Sequence, residues 1–429
     1  MKLRLIMMFC TLGLVLSCTT SSKKITNSEA YNVYLEIPEN TSLQKAEAEL
    51  EFWKEKLEAN PNQFPYLSKI AGCYSNLFAI TGNIEYLKNA EKAYLELNAT
   101  TNYSNTSYLK SLSANYISQH KFNEALELLT KAEAIGDKLE GTQKMLFDVH
   151  LELGNYNVAK SYLDTFSDDS DFDYLIRVAK WSDHRGNLDA AIKYLEKAKA
   201  NAEFSKSAVA KQWIYTNLAD FYGHHGNIEA SYNHFLKALE LDPNDAYAKK
   251  GIAWIVYSYE KNPDEALRIL NSVTKTYQAP DYYLLKAEIA EFKGDLVMKN
   301  QQLAQYKVAV NNEAYGDMYN KYNAILYAEN KKQTAEALKI AYTEIKNRPT
   351  PQSYDLLAWT HYNHGDVEEA LKVAENYIVG KTFEPHVLYH VAEIYKANGK
   401  LKEANNLKDE LQESTFELGP LMAEKINHI

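Results

Sequence analysis

The chain has 429 residues, and 46% hydrophobic content with only 16 Gly and 10 Pro marks a folded, helix-rich protein and excludes a disordered one. Lys+Arg 47 against Asp+Glu 57 gives a formal charge of −10 with no basic block in the body of the chain, which excludes a nucleic-acid partner that must be met by displacing counterions from phosphate. The cysteines at positions 10, 18 and 73 make no disulfide framework, and Cys73 reads as a small buried hydrophobe.

In chain order, residues 1–17 read as a leader. Lys2 and Arg4 give a positive start, Leu5 to Leu16 is an apolar run too short to span a bilayer as a mature helix, and Ser17 is small. Val15-Leu16-Ser17-Cys18 resembles the bacterial lipobox, and that resemblance implies removal of residues 1–17 and a lipid on Cys18. Several acyl chains would hold the protein stably on a membrane, and no later stretch is long and apolar enough to span one. Residues 18–41 then form the lipidated cysteine and a tether. Within it, alternation of Tyr31, Val33, Leu35 and Ile37 predicts a short extended piece lying along the first helices.

Ser42 to Asn60 predicts a helix with Ala46, Leu50, Trp53 and Leu57 on one stripe, Thr41 or Ser42 as its N-cap, and Pro61 beyond its end. It should cover the open end of a stack. From Phe64 onward the chain repeats a helical hairpin with one small residue in each helix. The pairs are Ala71 with Ala90, Ser113 with Ala125, Phe147 with Ala159, Ala179 with Ala191, Ala219 with Ser231, Ala253 with Ala266, Ala287 with Lys299, Ala324 with Ala337, Ala358 with Ala370 and Ala392 with Ala404. Gly154, Gly186, Gly226, Gly365 and Gly399 each precede the second small residue by the same interval, where a helix must end in a left-handed residue. The weak units are Phe147/Ala159, with a large residue at a close-approach position, and Ala287/Lys299, with a charge there. The units at Ala253 and Ala324 carry one extra residue.

The most regular unit, Trp213 to Pro243, places Tyr215, Leu218, Ala219, Tyr222, Ser231, Phe235, Ala238 and Pro243 in a pattern that resembles the tetratricopeptide repeat (TPR). The resemblance covers residues 42–418 and implies an all-α, right-handed superhelical solenoid of about ten hairpins, with residues 419–429 as a closing segment. It also implies that first helices line a concave face. That register puts Lys110, Lys144, Lys180, Trp213, Asp220, Tyr247, Lys250, Trp254, Tyr257, Gln352, Asp355, Trp359, Tyr362, His386, Tyr389 and Glu393 into a groove. The repeated Lys/Asn set with which some TPR domains clamp a C-terminal carboxylate is missing.

No enzyme is expected. Gly380-Lys381-Thr382 lacks the first glycine of a phosphate loop, since Glu375 stands there, and no nucleophile elbow occurs. His184, His224, His225 and His364 sit at helix ends, where they suit terminal carbonyls and the helix dipole. His386 and His390 lie one turn apart without an assured third ligand, and Asp169, Asp171 and Asp173 fit a solvated turn with Asp171 as an N-cap better than a calcium loop. No metal or cofactor is expected. The reading is a lipid-anchored scaffold of the bacterial cell envelope, at the outer membrane, that takes a protein or peptide partner in its groove. The alternative is a surface lipoprotein binding a small ligand or glycan through the groove aromatics.

Overall fold

The computed structural model describes residues 24–36 and 39–429, and every regular element among them is helical. Cys18 and the leader lie outside the described residues. Helices α1 (Ser28–Leu35) and α2 (Thr41–Ala59) precede ten hairpins. These are α3 (Pro65–Thr81) with α4 (Ile84–Thr100), α5 (Thr106–Ser118) with α6 (Phe122–Ile135), α7 (Leu139–Glu152) with α8 (Tyr156–Thr165), α9 (Phe172–His184) with α10 (Leu188–Ser205) and α11 (Ala208–His224) with α12 (Ile228–Leu241). The rest are α13 (Ala246–Trp254) with α14 (Pro263–Val273), α15 (Asp281–Phe292) with α16 (Leu296–Val310), α17 (Asn320–Ala328) with α18 (Thr334–Asn347), α19 (Pro351–His364) with α20 (Val367–Tyr377) and α21 (Pro385–Ala397) with α22 (Leu401–Glu413). A single turn α23 (Thr415–Leu418) and α24 (Pro420–Asn427) follow. No described helix is long and apolar enough to cross a membrane.

The hairpins form because small residues let paired helices approach and large ones fill the next turn. Every aligned small-pair position is buried except Lys299, which instead reaches Glu291 at 2.8 Å. Phe147 is accommodated at its close-approach position with no exposure. The five turn glycines all take positive φ, from 72° at Gly186 and Gly399 to 102° at Gly365, so the register inferred from them holds. Several turns then restart with asparagine. Asn83, Asn187 and Asn227 accept from the first free N–H groups of α4, α10 and α12, a device that contributes about 1 kcal/mol per helix. The extra residue between Ala253 and Ala266 is absorbed as a π-helical turn, Ile255–Tyr259, directly after α13.

Two expectations about the N-terminal region are corrected. Residues 28–35 are a helix, not an extended piece, because Asn27 caps it and Tyr31, Tyr34 and Leu35 share one helical face. That face packs on α12 and α14, far along the chain, with Tyr31 only 2% exposed. Asn40 rather than Thr41 or Ser42 caps α2, its side chain accepting from Leu43 N at 2.9 Å. Cys73 is buried, as its setting predicts.

A stack held only by nearest neighbours would leave distant hairpins independent, but this one turns until it meets itself. Thr81 O accepts from Gln278 N at 2.8 Å, Asn123 Nδ2 donates to Asn347 O at 2.9 Å, and the Arg348 guanidinium lies 5.5 Å over the Phe122 ring. Gly154 touches Thr350 and Gly186 touches Phe383, so the glycine turns of early hairpins abut the linkers between later ones. Stacking is interrupted once. After α16 the chain leaves the array, and Tyr315 inserts beside Ile84 and Leu87 of α4 before α17 begins.

Candidate functional site

Inside the array, α11, α13 and the π-helical turn face the C-terminal segment. Phe416 of α23 seats its backbone carbonyl between two donors, Trp254 Nε1 at 3.1 Å and Ser258 Oγ at 2.6 Å. Ser258 lies within the π-helical turn Ile255–Tyr259, where an extra residue is carried before α14. The Phe416 ring lies over Gly223 so closely that a Cβ there would stand 2.7 Å from it. Gly251 makes room in the same way for the Phe235 ring. Beside the seated segment a cleft of about 250 Å³ stays open, walled by Asp220, His224, Tyr247, Lys250, Trp254 and Phe416.

The electrostatics of this interior are unusual for a protein surface. Asp220 accepts from the Tyr247 hydroxyl, and burial pushes its pKa up to about 6. Burial, and then Glu384, raise Glu417 to about 7, and its carboxylate is 3.8 Å from His224 Nδ1. Glu288 rises to about 7, first through burial. Glu288 also accepts from the Tyr257 hydroxyl at 3.1 Å. Lys250 is held by Asp281 at 2.7 Å. The interior therefore gains negative charge as pH rises through neutrality.

Twelve of the residues assigned to a groove divide into two sets. Asp220, Tyr247, Lys250 and Trp254 converge on the cleft. Trp213, 38% exposed, stands nearby with its ring edge-on to Phe172 at 6.0 Å. Lys180 pairs with Glu152 at 3.0 Å, and the Tyr362 hydroxyl donates to Glu393 at 3.0 Å. The others are consumed in packing, which corrects their assignment to a free binding face. Lys144 is 6% exposed and clamped at 2.8 Å by both Glu140 and Asp171. Tyr257 has no exposure, and Asp355, Trp359 and Tyr389 are buried between α19 and α21. There Asp355 Oδ2 lies 2.9 Å from His390 Nδ1, and the Trp359 ring stacks on His390 at 3.8 Å. Neighbours within the array pair with Lys144, Tyr257 and Asp355 and cover the rings of Trp359 and Tyr389, while Trp359 Nε1 is buried with no hydrogen-bond partner among the described residues.

That pairing also bears on the histidines. His390 is taken up by Asp355, and His386, exposed at the surface, is held below the ordinary histidine range by desolvation and by the neighbouring His390. Among the described residues no group of three or more His, Cys, Asp or Glu is arranged to hold a metal ion. Asp171 is an N-cap, accepting from Tyr174 N at 2.8 Å. His184, His224 and His364 end their helices as expected.

Ser258, Phe416, Glu417 and the two glycines were not read as site residues from the sequence. Gly223 and Gly251 carried a usable signal, because glycine inside a helix costs about 1 kcal/mol relative to alanine and asks for a reason in close approach. Nothing local announces that Phe416 returns to α11.

A tetratricopeptide repeat family model matches residues 214–245. No curated protein matches the chain. Among solved structures, the human IFIT1 dimer with m7Gppp-AAAA is similar at 14% identity and TM-score 0.46, covering 77% of each chain. A tetratricopeptide repeat protein from Parabacteroides merdae is similar at 15% identity and TM-score 0.33, covering 67% of this chain and 98% of that one. The type IV pilus biogenesis factor PilW is similar at 16% identity and TM-score 0.27, covering 56% and 92%. With α11 and α12 matched as a repeat and nine further helical hairpins among the described residues, seven of them with a small residue in each helix, the chain is an all-α solenoid of TPR-like repeats.

Proposed function

We propose that the protein is a lipid-anchored scaffold of the cell envelope, at the outer membrane, whose concave interior holds a polypeptide segment of a partner protein. The observation that carries this is the seat of Phe416. The interior already binds main chain there, with two side-chain donors on one carbonyl, an aromatic ring in a glycine-lined recess, and open volume alongside. Main-chain recognition plus an aromatic anchor is how grooves gain both affinity and register. The anchor is carried by Val15-Leu16-Ser17-Cys18, and Cys18→Ser should release the protein from membranes.

The test is co-purification from detergent-solubilised envelopes with Asp220→Ala and Tyr247→Ala, whose side chains line the cleft. Loss of a specific protein partner with unchanged thermal melting is expected. A partner retained at the wild-type level rejects the interior as its site. The small size and aromatic walls of the cleft favour, as second reading, a small ligand or glycan stacked on Trp254. Saturable tryptophan fluorescence changes with oligosaccharides, and no stable protein partner, would select it.

A further inference from the structure

The described chain begins in an unexpected place. Its first residues do not lie at the end of the array but across its middle, on the outer face of α12 and α14. Ile25 N and Thr26 N both donate to Glu260 Oε1, at 2.8 and 2.6 Å, and Thr26 Oγ1 donates to Glu260 Oε2 at 3.0 Å. Asn27 and Tyr232 exchange two hydrogen bonds, N to Oη at 3.1 Å and Oη to O at 3.0 Å. The Tyr31 hydroxyl donates to Glu265 at 2.6 Å, Arg268 donates to Asn32, and Ser272 Oγ donates to Leu35 O at 2.7 Å. Tyr31 is buried, and Ile25, Tyr34 and Leu35 pack on the same core. So many directed bonds along one short segment make a latch, since each is lost together if the segment lifts.

This latch fixes where the chain emerges toward Cys18. The six steps from Cys18 to Lys24 reach at most about 22 Å when fully extended. Two helix layers side by side already span about 20 Å, so a tether of that length cannot pass around the array to its other side. We propose that the outer face formed by α1, α12 and α14 is held against the phospholipid surface, so that the solenoid lies broadside to the membrane and the opposite wall of the spiral points away. The proposal rests on the reading of Cys18 as the lipid anchor. Headgroup charge does not set the arrangement, because exposed Lys24, Lys261 and Lys275 are interspersed with exposed Glu29, Glu36 and Asp264. The short tether and the latch do.

The test uses the full, lipidated protein in phosphatidylethanolamine/phosphatidylglycerol vesicles that carry a headgroup acceptor dye. A donor is placed at Asn271→Cys, exposed on α14 beside Leu35, or at Lys372→Cys, exposed on α20. One full turn separates Gly154 from its contact Thr350, and about half that interval separates the latch site Arg268 from Lys372. Energy transfer from position 271 should exceed that from 372 by about two-fold or more, given the thickness of the intervening helix layers. Equal transfer, or more from 372, in protein that floats with the vesicles overturns the placement while leaving the anchor intact. Wild-type protein that does not float with vesicles overturns both. A second variant, Tyr31→Phe with Glu260→Gln, should keep the melting temperature within a few degrees and narrow the difference between the two positions. An unchanged difference would overturn the role of the latch.

Discussion

The hairpins α11 to α14 and the hairpin α15/α16 share one motif and reach opposite ends of packing quality. In the first region Ala219, Ser231, Ala253 and Ala266 all sit at the close approach, and Phe235, Tyr257 and Leu270 are buried behind them. In the second, Lys299 occupies the close approach, and Tyr306 is the one buried residue of α16. Leu296, Val297 and Val308 of that helix are 60%, 70% and 75% exposed. The next hairpin does not cover them, because the chain leaves to place Tyr315 on α4. A charge at the close approach thus coincides with the place where the stack is interrupted, and small residues there coincide with the region that lines the cleft. A lysine at that position keeps the two helices from packing as closely as alanine would allow.

The largest expected break in this contrast is Phe235→Ala, which removes a buried ring that fills the recess beside Gly251 and should destabilise the fold by about 3–5 kcal/mol. Val308→Ala on the exposed face of α16 should stay within about 0.5 kcal/mol. Chemical denaturation of both variants measures the pair, and similar losses would show that α16 is better packed than its exposure implies.

Next in size is a pH effect confined to the dense region. Glu417 and Glu288 ordinarily titrate near 4.5 and rise to about 7 when folded, so the folded state binds protons that the unfolded state releases. Their contribution is fully present below pH 4.5, and stability falls as pH rises from there through about 7. Glu417→Gln should flatten the decline in melting temperature between mildly acidic and mildly alkaline buffer. An unchanged slope would mean Glu417 is not buried beside Glu384.

A smaller effect is expected from Ser258→Ala, which removes one of two donors to the Phe416 carbonyl and should cost about 1 kcal/mol. Hydrogen exchange should speed up over residues 414–427 and not over α3 to α6. Smallest of all, Lys299→Ala trades a partly exposed ion pair with Glu291 for a residue that fits the close approach. Global stability should move by less than about 0.5 kcal/mol, while amide protection in α16 rises. Lower protection there would show that the ion pair, not its size, holds the hairpin.

Much of the array was legible because its signals are local. A small residue at a fixed offset from a turn glycine constrains one hairpin at a time, and Ala159, Ala191, Ser231, Ala370 and Ala404 are buried as that rule requires. The site was less legible for the same reason. Asp220, Tyr247, Lys250 and Trp254 line one cleft, but the register could not foresee that Trp359 would stack on His390 or that Asp355 would pair with it across hairpins. The return of Phe416 to Trp254 and of Tyr31 to Glu265 depends on how far the spiral turns per repeat. That quantity sums small offsets, such as the π turn at Ile255–Tyr259, over the whole array. Alternation of Tyr31, Val33 and Leu35 suggested a strand only because the i, i+3, i+4 set of Tyr31, Tyr34 and Leu35 overlaps it.

The central claim is that function lies in the concave interior rather than on the uncovered outer helix. Photo-crosslinking from the protein in intact cells tests it directly, with a benzophenone side chain at His224 in the cleft wall or at Val297 on α16. A discrete protein adduct is expected from position 224, absent from 297 and lost when Asp220→Ala is added. A discrete adduct from position 297 with none from 224 would contradict it.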